Sequence, residues 1–109
     1  PIDIENKKME FDKAKYGTIG LESAFGALQT ILPTEIIVQK LCVGRTIFGQ
    51  ETLSIVEGEK ANITLFNTEG ESLFTEGNVV SKSKNSAFIG QAMKGTVYGI
   101  FNQGNLHQA

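Results

Sequence analysis

The stretch Ala14-Lys15-Tyr16-Gly17-Thr18-Ile19-Gly20-Leu21-Glu22-Ser23-Ala24 decides how the rest of the chain is read. Two glycines bracket a short apolar turn, and Leu21, Ala24, Phe25, Leu28, Ile31 and Leu32 then recur at spacings of three and four. That period predicts a helix with one apolar face, ended by Pro33. Thr34 is placed to cap a second, short helix carrying Ile36, Ile37, Lys40 and Leu41, with Glu35 near its positive end and Gly44 closing it. Before the glycine turn, Pro1 to Lys15 are polar and charge-rich without a sustained period, which predicts a loop lying over the body of the protein.

Beyond Gly49 the pattern changes. Leu53-Ser54-Ile55-Val56 and Asn62-Ile63-Thr64-Leu65-Phe66 gather β-branched and aromatic residues between the turn formers Glu57-Gly58-Glu59 and Asn67-Thr68-Glu69-Gly70. Ser72-Leu73-Phe74-Thr75 and Thr96-Val97-Tyr98-Gly99-Ile100-Phe101 predict two more strands, and Asn102-Gln103-Gly104-Asn105 a tight hairpin into a last short one. Helices come first and strands after.

With 109 residues, 40% of them hydrophobic and only 2 prolines, the chain has the composition of a single folded domain. The formal charge of -2 mixes both signs and forms no basic stripe, which argues against nucleic-acid binding. No apolar run approaches the roughly 20 residues of a membrane span, and no signal-peptide pattern opens the sequence. One unpaired cysteine, Cys42, set in an apolar helical pattern with no base nearby in sequence, suits a reducing cytoplasm and an inert thiol. Asp3, Glu5, Glu10 and Asp12 are interleaved with Lys7, Lys8, Lys13 and Lys15, the pattern of a solvated loop rather than a cation site. The glycine spacings lack a following Lys-Ser or Lys-Thr, so no phosphate loop is indicated.

The glycine-bracketed turn resembles a segment of the dihydroorotases, Ala-Pro-Phe-Gly-Ile-x-Gly-Leu-Glu-Thr-Ala, which in that family follows the last strand of a metal-bearing (β/α)8 barrel. Ser83-Lys84-Asn85-Ser86-Ala87-Phe88-Ile89-Gly90 is similar to the same family's Asn-(Ser/Thr)-Pro-Phe-x-Gly, and Arg45-Thr46-Ile47-Phe48-Gly49 to its short Ala-Arg-Ile-Phe-Gly helix. Lys15 and Ala87 stand where the family has proline. The resemblance implies an α+β fragment: residues 1–50 as the last helices of an amidohydrolase (β/α)8 barrel, and residues 51–109 as strands of the C-terminal half of a small β-sandwich with an extension. A whole barrel enzyme needs about 250 residues. Together with the start at Pro1, this leads to the expectation that the chain is part of a longer polypeptide.

Dihydroorotases interconvert dihydroorotate and N-carbamoyl-aspartate in pyrimidine biosynthesis, using metal-activated hydroxide on a cyclic amide. The resemblance implies zinc in an active parent, but this chain has one histidine, His107, and no spacing of metal ligands, so the expectation is no metal site and no catalytic residue here. His107 reads as a solvated tail residue. The family's Phe-Gly peptide groups touch substrate, which carries a main-chain binding role onto Tyr16 and Gly17. The alternative reading of Tyr16 to Gly20, a tight turn into a helix, is compatible with it. Placed without gaps on Tyr16-Gly17, the family's Asp-His-Ala-Pro-His puts its proline on Pro1 and its substrate-binding histidine on Ile2, which can neither donate a hydrogen bond nor carry charge. Ile2 therefore favours a second reading, a non-catalytic dihydroorotase-like scaffold or partner of aspartate carbamoyltransferase. Missing partner strands predict an open sheet edge, an uncovered apolar helix face and a homo-oligomer.

Overall fold

Pro33 separates two helices, α1 over Ala24–Gln29 and α2 over Thr34–Ile47, in a computed structural model that describes residues 3–52 and 54–109. The first helix is shorter than its apolar period predicts. Leu21 to Ser23 form a turn instead, and at the other end the Thr30 hydroxyl donates to Ala27 O (2.6 Å) while Pro33 disfavours helical backbone at Leu32. As a result Leu21 and Ile31, expected on the buried face, are 92% and 74% exposed.

The second helix is longer than expected. Gly44 does not close it, because one glycine among helix-compatible neighbours costs only about 1 kcal/mol. Closure comes five residues later at Gly49, whose φ of +68° is the left-handed ending that the Ile-Phe-Gly resemblance implies. Gly49 N–H donates to Thr46 O (3.0 Å) and Gln50 N–H to Arg45 O (3.1 Å), the paired bonds of a Schellman ending. Thr34 is not the cap. Pro33 holds that position, and the Thr34 hydroxyl instead accepts from Gln29 Nε2 (2.7 Å), tying the two helices across the proline.

Three antiparallel strands, β1 (Asn62–Leu73), β2 (Ala92–Asn102) and β3 (Asn105–Gln108), form a sheet in the order β1-β2-β3. The turn formers Asn67 to Gly70 do not end a strand, as their composition suggests. They produce an irregularity inside β1: Asn67 Oδ1 accepts from Glu69 N–H (2.9 Å), Gly70 takes a φ of +87°, and pairing resumes with Glu71 opposite Lys94. Ser72 to Thr75 is accordingly not a separate strand, since β1 runs on to Leu73. Phase past it is kept by Phe74, which donates to Gln91 O (3.0 Å) and accepts from Gly90 N–H (2.8 Å). Ser54 to Val56 form no strand, and Ile55 is 82% exposed. Without a neighbouring strand to share its backbone bonds, a short apolar run does not become a strand; Leu53, the first residue of that expected strand, lies outside the described residues. The final hairpin is as expected, with Gln103 and Gly104 both at positive φ in a two-residue loop.

The core is small. Phe74, Val79 and Met93 are buried together, and Ile19, Ala27, Phe88 and Ile89 pack against them. Helix α1 lies on β2, with the Phe25 ring edge-on to Phe66 at 4.9 Å between centroids. Ile37 is fully buried on α2, yet Ile47 and Phe48 at the end of that helix are each 82% exposed. The radius of gyration, 16.4 Å, exceeds the roughly 13 Å of a compact domain of this length. An open sheet edge and an uncovered apolar helix surface were expected, and among the described residues the three-stranded sheet is open and the apolar end of α2 is exposed.

The first residues make a 3-10 turn over Ile4–Lys7, with surface ion pairs Glu5–Lys8 (2.8 Å) and Glu10–Lys13. The hydrogen bond that the Lys8 ammonium donates to the Glu5 carboxylate raises the Lys8 pKa. These pairs are what an interleaved, solvated loop makes, worth little to stability. Phe11 is 96% exposed, so this loop does not seat its aromatic ring on the body as a covering loop would.

Candidate functional site

Gly17 opens the site. Its φ of +107° is accessible to glycine and resisted by any residue with a side chain, and it turns the chain so that Tyr16, 92% exposed, projects from the surface. The loop around it is held by residues nearly seventy positions away. Asn85 Nδ2 donates to Gly17 O (3.0 Å), and Asn85 O accepts from Ile19 N–H (2.9 Å), making a parallel bridge between Ile19 and Ser86. The Thr18 hydroxyl stands between the two segments, donating to Asn85 O (3.0 Å) and accepting from Ala87 N–H (3.1 Å). A proline at position 87, as the resemblance has, lacks the N–H for that bond.

One turn on, the Glu22 carboxylate accepts from Val80 N–H (2.7 Å) and Ser81 N–H (3.0 Å). Two backbone donors on one carboxylate are charge-assisted bonds, which explains why the chain stays in a turn at Leu21 to Ser23 rather than starting its helix there. Buried Ser23 donates its hydroxyl to Gly20 O (3.2 Å), and the Lys84 ammonium donates to Val79 O. Asn85 and Phe88, expected as turn and packing residues, do those jobs: Asn85 N–H donates to Ser83 Oγ (3.3 Å), and Phe88 packs on the core.

The two segments that carry the sequence resemblance, residues 14–24 and 83–90, thus meet in one structure, to which Val80 and Ser81 add the bonds to Glu22. Sequence reasoning named Tyr16, Gly17, Asn85 and Phe88 but gave no role to Thr18 or Glu22. A lone polar side chain on either side of Ile19-Gly20, ahead of an apolar helix, was the available signal. Chemically the arrangement presents main-chain groups at an exposed, fixed turn. It offers recognition, with no side chain of Tyr16 to Gly20 suited to proton or nucleophilic chemistry other than the exposed phenol and the engaged Thr18 hydroxyl.

Among the described residues no three of His, Cys, Asp and Glu stand together to hold a metal ion, so these side chains do not fit the zinc that the resemblance implies for a parent enzyme. His107 lies in β3 opposite Ile100 rather than in a loose tail, and it is exposed there. Cys42 is exposed on α2, contrary to the packed position its apolar surroundings suggest. No described helix is long and apolar enough to cross a membrane. The position that the resemblance aligns with the substrate histidine, Ile2, lies outside the described residues.

These features define a small α+β unit whose recognisable parts are a glycine turn and the strap that fixes it. The chain is dihydroorotase-like. It is 32% identical to the dihydroorotase of Chlorobaculum tepidum and 36% identical to that of Caldicellulosiruptor saccharolyticus, each over 113 aligned positions that take in 97% of the chain and 26% of the relative. The dihydroorotase of Elusimicrobium minutum is 31% identical over the same shares. The chain therefore spans about a quarter of the length of these relatives. No model of a protein family matches it.

Proposed function

We propose that this chain is the C-terminal segment of a dihydroorotase, with residues 1–50 closing its barrel and residues 51–109 supplying strands of its β-sandwich, and that it does no chemistry alone. The observation that carries the reading is the union of residues 16–24 with residues 80–90 into one hydrogen-bonded site. In that role the peptide groups of Tyr16 and Gly17 bind dihydroorotate, while zinc and the acid/base carboxylate belong to the remainder of the parent. That remainder is the natural partner of the exposed apolar surface at Ile31, Ile47 and Phe48. In its absence a second copy covers the surface, giving a homo-oligomer. The protein works in the cytoplasm.

A second reading is favoured by one position. Isoleucine at residue 2, where the resemblance has a substrate-binding histidine, suits a non-catalytic scaffold that associates with aspartate carbamoyltransferase.

The test uses the purified chain with added zinc. The expected result is no hydrolysis of dihydroorotate above background and, by light scattering, a mass above the monomer. Turnover would place the metal ligands within these residues, and a monomer at every concentration would contradict the covered-surface account.

A further inference from the structure

We propose that Thr18 is the positioning residue of the site: its hydroxyl, bridging Asn85 O and Ala87 N–H, sets the direction in which the Tyr16–Gly17 peptide groups face a small cyclic-amide carboxylate. This inference rests on the reading that those peptide groups contact dihydroorotate. Gly17 has no side chain to restrain it, and its φ of +107° lies in a region that only a glycine explores freely, so the loop has to be fixed by bonds from outside. Lys15, just ahead of it, does not supply the fixed φ of a proline. Four hydrogen bonds join the loop to residues 85–87: Asn85 Nδ2 to Gly17 O, Ile19 N–H to Asn85 O, and the two that meet at the Thr18 hydroxyl.

Among them the Thr18 bridge is the only one that both donates to and accepts from the strap through one side-chain atom. It fixes distance and direction together, because the hydroxyl accepts from Ala87 N–H (3.1 Å) and its one proton has a nearer acceptor in Asn85 O (3.0 Å) than in Ile19 O (3.3 Å). Asn85 in turn holds Gly17 O, so moving Thr18 moves the acceptor and donor that define the Gly17 peptide plane. An alanine at position 87 is what makes this possible, since it offers the N–H that the bridge needs.

The test follows backbone amides by NMR in the 109-residue chain as dihydroorotate is added. The unaltered chain is expected to show saturable shifts at Gly17 and Thr18. Thr18→Val, which keeps the shape and loses the hydroxyl, is expected to weaken the apparent affinity about tenfold, with the loss of one oriented hydrogen-bond network. Thr18→Ser is expected to restore it, and Ala87→Pro, which removes the donor while leaving Thr18 intact, to reproduce the valine effect. Far-UV circular dichroism verifies that each variant is folded, and the serine rescue keeps the test decisive should the proline variant fail to fold. Equal affinity in Thr18→Val and the unaltered chain overturns the positioning role alone. No shift at Gly17 in the unaltered chain overturns the substrate-contact reading, and the positioning role falls with it.

Discussion

Replacing Gly95 by alanine is expected to cost about 3 kcal/mol and to lower the melting temperature by more than about 10 °C. Two independent penalties meet at this residue. Its φ is +80°, a conformation that a side chain resists by about 1–2 kcal/mol. An added methyl would also sit 2.7 Å from Asn67 O and 3.1 Å from Phe25 Cε1, so the backbone of β1 and the aromatic contact of α1 would both have to move. At Gly95, in the first half of β2, the irregularity of β1 and the Phe25 ring of α1 both come close to the backbone. Gly104→Ala separates the two penalties: its φ is +82° but nothing lies within 4 Å of the added carbon, so only the conformational cost of about 1 kcal/mol is expected. Thermal unfolding of the two variants side by side makes the comparison, and equal losses would mean that the close approach at Gly95 does not exist.

Met93→Ala is the second large effect, with an expected loss of about 3 kcal/mol in denaturant unfolding. Met93 is 6% exposed and belongs to the one cluster that unites Ile19 from the glycine turn with Phe88 and Ile89 from the strap. Truncating it opens a cavity where the two segments share a core that, among the described residues, buries few apolar side chains. Met93→Leu conserves most of the volume and is expected to cost less than about 1.5 kcal/mol. An alanine variant as stable as the leucine variant would show that the cluster is not packed.

Much of this was legible in the sequence, and the failures have physical causes. The order of helices before strands, the break at Pro33, the left-handed ending at Gly49 and the hairpin at Gln103-Gly104 all follow from local chemistry, where one residue type has one conformational consequence. The strand boundaries do not. Asn67 to Gly70 have the composition of a turn and do turn, but the ladder to β2 resumes on the far side, and only the partner strand determines that. Ser54 to Val56 have strand composition and no neighbour to pair with among the described residues. At α1 the apolar period overstates the helix because Glu22 serves the strap instead, a contact across more than fifty residues that no local pattern encodes.

The candidate site was legible in a different way. Tyr16, Gly17, Asn85 and Phe88 were singled out through resemblance, while the bonds that join them needed coordinates. Thr18 and Glu22 carry those bonds through ordinary hydroxyl and carboxylate chemistry, and neither residue type announces a long-range partner.

The central claim is that the glycine turn and the strap are one structure. A through-hydrogen-bond scalar coupling between Ile19 N and the Asn85 carbonyl carbon tests it most directly, because those atoms are bonded only if the two segments meet as described (2.9 Å between Ile19 N and Asn85 O). The account predicts a measurable coupling together with a slowly exchanging Ile19 amide. A missing coupling with an amide that exchanges as fast as an open loop would contradict it.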